Sequence, residues 1–252
     1  MSNNLDTPNY GNNPAAGSYA AINGIRIYYE SYGAGDPLLL MHGALQSLSA
    51  MSPQITELSK YYRVIAVDTR GHGHSSVDDT PLSYQLYVRD MSALIEHLGF
   101  DSVYILGWSD GAITGLLLAM AYPSQVKKLA IMAANLFPGE AAIEAWSTDF
   151  VRKRLAQLRG KAHRTARDEF AIRVNECMLR EPDILPAELQ AIGCPTLVMA
   201  GGEDVIKPAH TELIARHIPG AQLMIFPGIS HMAPVEIPEQ FNQTVLAFLQ
   251  SR

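Results

Sequence analysis

The chain has 252 residues, 48% hydrophobic and 17% charged, an ordinary globular composition with enough length for one large core. One domain carrying an insertion fits this length better than two independent domains. A net charge of −6 argues against a general nucleic-acid binder, and no apolar run reaches the length of a membrane span. Neither nucleic acid nor a membrane is therefore expected as a partner. The two cysteines, Cys177 and Cys194, fit no metal spacing and no disulfide framework, so two free thiols and a cytoplasmic location are expected.

The first residues, "MSNNLDTPNYGNNPAAG", lack the basic head and apolar core of a signal peptide and read as a flexible tail over 1–17. A hairpin follows in "SYAAINGIRIYYESYG", where Asn23-Gly24 suits a two-residue turn with positive φ. Short apolar runs then recur at Pro37–Gly43, Arg63–Gly71, Val103–Ser109, Lys127–Ala134, Pro195–Asp204 and Ala221–Phe226. They alternate little, as strands do when both faces of a parallel sheet are covered. Helical patterns lie between them. "SYQLYVRDMSALIEHLG" has Ser83 as its N-cap and Gly99 past its end, and "GAITGLLLAMAYP" is apolar enough to be buried. "PAHTELIARHIPG" and "PEQFNQTVLAFLQ" open on prolines suited to a first helical turn. Alternating strands and helices predict an α/β fold with right-handed crossovers, its core formed by 18–135 and 193–252. The rhythm breaks over 136–192, a helical stretch without a convincing strand, which reads as an insertion between two strands.

"GWSDG" fits G-x-S-x-G at the end of a strand and the start of a helix. A sharp turn there pushes the Ser109 hydroxyl out above the sheet, and Gly107 and Gly111 are small because a side chain would strike the turn or the neighbouring strand. The hydroxyl needs a base. Of eight histidines, His231 in "GISHMAP" follows the last strand at the carboxyl edge of the sheet, where Ser109 also lies. His97, His163, His210 and His217 fall in helical patterns and read as surface residues. His72 and His74, flanked by glycines, read as loop residues, and His42 as a buried, hydrogen-bonded one; no metal is expected. The base needs a carboxylate, and "GGEDVIKP" offers Glu203 and Asp204 at a strand end. In "MHGAL", the backbone N–H of Ala44 can join that of Asp110 in holding an oxyanion.

Taken in order, "MHGAL", "DTRGHGHSS", "GWSDG", "GGEDVIKP" and "GISHMAP" resemble the α/β-hydrolase family. The resemblance runs from about Ala20 to the C-terminus. It implies a mostly parallel eight-stranded sheet flanked by helices, with 136–192 as a helical lid. It also implies Ser109, Asp204 and His231 as nucleophile, acid and base, with Glu203 as the fallback acid. The nucleophile segment is similar to the biphenyl hydrolase-like group that includes valacyclovir hydrolase, an α-amino-acid ester hydrolase. There an aspartate after the nucleophile meets the substrate's α-ammonium, which would give the Asp110 side chain a role. Leu136, Phe137, Trp146, Phe150, Met178 and Met232 are candidate pocket walls. The basic run from Arg152 to Arg167 reads as a solvated helix face, with attraction of an anionic substrate as the lesser reading.

The expected function is a cofactor-free serine hydrolase that cleaves small carboxylic esters through an acyl-enzyme, with a small-molecule substrate as its partner. The oligomeric state stays open. C–C bond or lactone hydrolysis on the same fold is the alternative, although "HGALQ" lacks the richer glycine run of ring-fission hydrolases. A ligand sensor without turnover is the alternative from another class. Epoxide hydrolase and dehalogenase chemistry would place an aspartate where Ser109 stands.

Overall fold

The computed structural model describes residues 8–251. An antiparallel hairpin of β1 (Gly17–Ile22) and β2 (Ile25–Tyr32) turns on Asn23 and Gly24, both at positive φ. Then come β3 (Pro37–Met41), α1 (Ser52–Leu58), β4 (Arg63–Val67), α2 (Tyr84–His97), β5 (Val103–Trp108), α3 (Asp110–Ala121) and β6 (Val126–Met132). The insertion carries α4 (Ala145–Arg159) and α5 (Ala166–Arg180). The chain closes with β7 (Thr196–Gly201), α6 (Pro208–His217), β8 (Gln222–Phe226), α7 (Ala233–Glu236) and α8 (Pro238–Gln250). The eight strands form one sheet in the order β1-β2-β4-β3-β5-β6-β7-β8, parallel from β4 to β8.

The period-two geometry of the buried strands builds two cores. Leu39, Met41, Ile65, Val67 and Ile105 face one side of the sheet and meet α2, α3 and α6 through Met91, Leu116 and Ile214. Leu38, Leu40, Val64, Ala66 and Leu106 face the other side and meet α1 and α8 through Ile55, Phe241 and Val245. Ser83 caps α2 by accepting the Leu86 N–H at 3.1 Å, and Gly99 ends it at φ 73°. In the insertion, Leu155 and Leu158 of α4 pack on Ala171 and Ile172 of α5. Thr165 and Asp168 form a capping box at the start of α5. One isolated bridge, Ile143 to Ile206, ties the start of the insertion to the loop after β7. No helix among the described residues is long and apolar enough to cross a membrane.

The flexible tail expected over 1–17 is corrected where it falls on described residues; 1–7 lie outside them. Tyr10 is buried, and its hydroxyl pairs with Thr56 Oγ1 at 3.0 Å. The N–H groups of Gly11 and Asn13 donate to the buried Glu30 carboxylate at 2.8 and 2.9 Å. A buried carboxylate needs donors, and the Asn- and Gly-rich segment supplies them from its backbone. His210, read as a surface residue, is also buried; its Nε2 accepts the Leu136 N–H at 3.0 Å. Burial pushes its pKa down to about 4, which keeps that ring nitrogen free to accept.

Candidate active site

Ser109 joins β5 to α3 at φ 55°, a left-handed conformation that strains a residue with a Cβ by about 1–3 kcal/mol. Its surroundings hold it there. The Ser109 N–H donates to the Met132 carbonyl at 2.8 Å, and its own carbonyl accepts from Ala112 and Ile113. A Cβ at Gly107 would collide with the Gly111 carbonyl, and one at Gly111 with the Met41 carbonyl. The glycines therefore let the turn close against β3.

His231 lies on the loop after β8. Its Nδ1 and Asp204 Oδ1 are 2.7 Å apart, and the Trp108 indole N–H donates to the His231 carbonyl at 2.9 Å. Asp204 is buried and also accepts from the N–H groups of Ile206 and Gly201, at 3.0 and 3.2 Å. Glu203 is exposed and makes no pair with His231. Ser109 and His231 line the same pocket.

Gly43 packs so closely on Ser109 that a Cβ there would lie 3.1 Å from Ser109 Cβ. Ala44 thus enters the pocket wall beside Ser109 and Asp110. The Asp110 N–H opens α3, where the helix itself offers no acceptor. His42 and His72 grip the turn on either side of Ala44. His42 Nδ1 donates to the Gly43 carbonyl at 2.7 Å, and His72 Nε2 accepts the Leu45 N–H at 3.1 Å. Burial lowers their pKa values to about 4 and about 3, so both rings are neutral at neutral pH. His74 faces Asn12 instead, and among the described residues no cluster of three or more metal-ligating side chains forms.

A family model of the alpha/beta hydrolase fold matches residues 36–152. Serine hydrolase BPHL of Mus musculus is 32% identical over 248 residues, covering 91% of this chain and 85% of that protein. The chain belongs to the α/β-hydrolase family. Among solved structures, a hydrolase from Pseudomonas aeruginosa PA01 is 26% identical with a TM-score of 0.81, covering 95% of this chain and all of that one. The enol-lactonase from Burkholderia xenovorans LB400 is also 26% identical, with a TM-score of 0.79 over 93% of this chain and all of that one. This α/β-hydrolase is an enzyme of the serine hydrolase kind.

The hydrolase's pocket encloses about 690 Å³. Trp146, Phe150, Met178, Met232 and Asp110 line it. Leu136 and Phe137 do not. Leu136 is fully buried beneath the site, and the Phe137 ring packs edge-on against His210 at 4.8 Å. Both lie between β6 and α4, and they pack into the core. Arg152 reaches the pocket, but the basic run is largely neutralised by neighbours. Arg159 pairs with Glu176, Lys161 with Asp168 and Arg164 with Glu169, each at 2.6 Å.

Sequence reasoning missed Tyr84, Asn135 and Glu181, all in the pocket wall. Tyr84 is the first residue of α2 and read only as part of a helix start. Its hydroxyl donates to Asp110 Oδ1 at 2.9 Å. Burial pushes the Asp110 carboxyl up to about 6, against the pull of this hydrogen bond and of His231. No lysine or arginine among the described residues pairs with Asp110. An anion without a cationic partner in a largely apolar pocket is suited to a cationic group on a ligand.

Proposed function

We propose that this hydrolase cleaves small carboxylic esters through Ser109, His231 and Asp204, and that it favours esters of α-amino acids. The observation that carries the reading is the 2.7 Å contact of His231 with buried Asp204, on the wall of the pocket that Ser109 lines. Asp204 fixes the tautomer that leaves His231 Nε2 able to accept a proton, and it stabilises the imidazolium that follows. His231 takes the Ser109 proton as Oγ attacks the ester carbonyl. The N–H groups of Ala44 and Asp110 hold the oxyanion, each lowering the barrier by about 3 kcal/mol. The tetrahedral intermediate expels the alcohol, which His231 protonates. Water, deprotonated by His231, then releases the acid from the acyl-enzyme.

The Asp110 side chain receives the substrate's α-ammonium while its backbone serves the oxyanion. Helices α4 and α5 act as a lid: Trp146, Phe150 and Met178 give the pocket its apolar wall and exclude water from the acyl-enzyme. In this reading 18–135 and 193–252 are the catalytic core and 136–192 is the lid. A lactone is an ester whose leaving alcohol stays attached, so the likeness to an enol-lactonase keeps lactone opening as a second substrate class for the same residues.

Wild type should hydrolyse p-nitrophenyl acetate, and Ser109→Ala should lose more than about a thousandfold of that activity. Equal rates in the two proteins would end the proposal. Alanine and phenylalanine esters should outrun their deaminated counterparts, and Asp110→Asn should erase the preference. A preference unchanged in Asp110→Asn would remove the ammonium site and leave the esterase.

A further inference from the structure

We infer that Tyr84 is a positioning residue for substrate selection: through its hydrogen bond to Oδ1 it aims the Asp110 carboxylate and keeps it charged for a cationic amino group. The inference rests on the amino-ester reading above. Tyr84 is buried, so its hydroxyl has little freedom to turn elsewhere. With Oδ1 taken at 2.9 Å, Oδ2 is the oxygen left for a ligand.

Tyr84 is itself anchored by the insertion. Its N–H, an orphan donor at the start of α2, donates to Glu181 Oε2 at 2.9 Å. Glu181 Oε1 is paired with Arg180 at 3.1 Å, and Arg180 also donates to the Leu82 carbonyl at 2.8 Å. The end of α5 therefore clamps the start of α2, and the clamp bears on Asp110 through one hydroxyl. Glu181, although in the pocket wall, is already occupied by the Tyr84 N–H and Arg180. Glu203, the third carboxylate of the wall, is exposed to solvent, so Asp110 is the partly buried carboxylate that remains for a substrate cation.

The charged and titratable groups around Asp110 come from every packed element: Tyr84 and Tyr87 from α2, Cys177 with Arg180 and Glu181 from α5 and its end, and His231 from the loop after β8. Of these, Tyr84 and His231 favour the Asp110 carboxylate, against burial. Removing the Tyr84 hydroxyl shifts the balance toward the protonated, neutral form, which cannot attract an ammonium.

The test compares wild type, Tyr84→Phe and Asp110→Asn on phenylalanine methyl ester and on its deaminated analogue, as kcat/KM against pH. Each ratio is internal to one protein, so differences in folded fraction cancel. Tyr84→Phe should lower the amino-to-deaminated ratio about tenfold, the scale of one charge-assisted hydrogen bond. It should also move the acid limb of amino-ester hydrolysis to higher pH by about one unit, the direction expected when a donor to the charged form is lost. A ratio and limb unchanged in Tyr84→Phe, while Asp110→Asn erases the preference, would overturn the inference and leave the amino-ester reading intact. A lower ratio with an unmoved limb would make Tyr84 a substrate contact and overturn its role through Asp110. No effect of Asp110→Asn on the ratio would overturn the amino-ester reading and the inference with it.

Discussion

Ser109 is held in a backbone conformation that favours glycine, and a tight turn between β5 and α3 keeps it there. Strain of this kind predicts a trade between stability and activity. Ser109→Gly should abolish hydrolysis yet raise unfolding stability by about 1 kcal/mol, the relief of strain less the added freedom of a glycine in the unfolded chain. Ser109→Ala should abolish activity without that gain; denaturant unfolding of both variants checks the pair. Asp110 carries a second cost. Its carboxyl, raised to about 6 in the fold, lies above the unfolded value of about 3.9. The fold therefore carries no penalty below about pH 4, loses stability as pH rises from 4 through 6, and holds the loss above that. Asp110→Asn should stabilise the protein at pH 7–8 by about 3 kcal/mol and give no gain near pH 4, as read by melting at each pH. For amino-ester substrates the same group should produce an acid limb near pH 6 in kcat/KM. Neither Tyr84 nor the tuning of Asp110 was legible in the sequence, because Tyr84 reaches the site from a helix start 26 residues before Asp110.

At the scale of elements, strands and helices were legible because their periods differ. The six short apolar runs became β3 to β8, and Ser83 and Gly99 bound α2 where capping chemistry places them. The insertion was legible as helices but not in detail. Leu136 and Phe137 fall within it by sequence, yet they pack down beside His210, a partner 74 residues from Leu136. Only a long-range contact tells such a residue from a pocket wall. On α4, Trp146 and Phe150 stay 63% and 60% exposed at the pocket mouth. Their truncation should therefore spare the fold. Trp146→Ala and Phe150→Ala should change unfolding stability by less than about 0.5 kcal/mol. They should lower kcat/KM for long or aromatic esters about tenfold more than for acetate esters, since one aromatic contact contributes roughly 1.5–3 kcal/mol. A uniform loss across esters would instead assign α4 to the stability of the catalytic core.

At the scale of the whole molecule, the sheet carries a core on each face and delivers the Ser109 turn, the loop after β7 and the loop after β8 to one pocket. The N-terminal segment belongs to this assembly, which its Asn- and Gly-rich composition hid. Glu30 collects four donors, from Gly11, Asn13, Tyr28 and Tyr32. Glu30→Gln replaces an acceptor oxygen with a donor and should cost about 2–4 kcal/mol of stability, measured by denaturant unfolding. The account as a whole depends on Ser109 taking an acyl group that His231, held by Asp204, then helps water remove. The most direct measurement is rapid-quench mass spectrometry during turnover of p-nitrophenyl acetate, on wild type and on His231→Gln. The account predicts an acetyl group on the peptide that carries Ser109, and severe slowing of both its appearance and its release in the histidine variant. An unmodified Ser109 peptide during undiminished wild-type turnover, with the acetyl group elsewhere or nowhere, would contradict it.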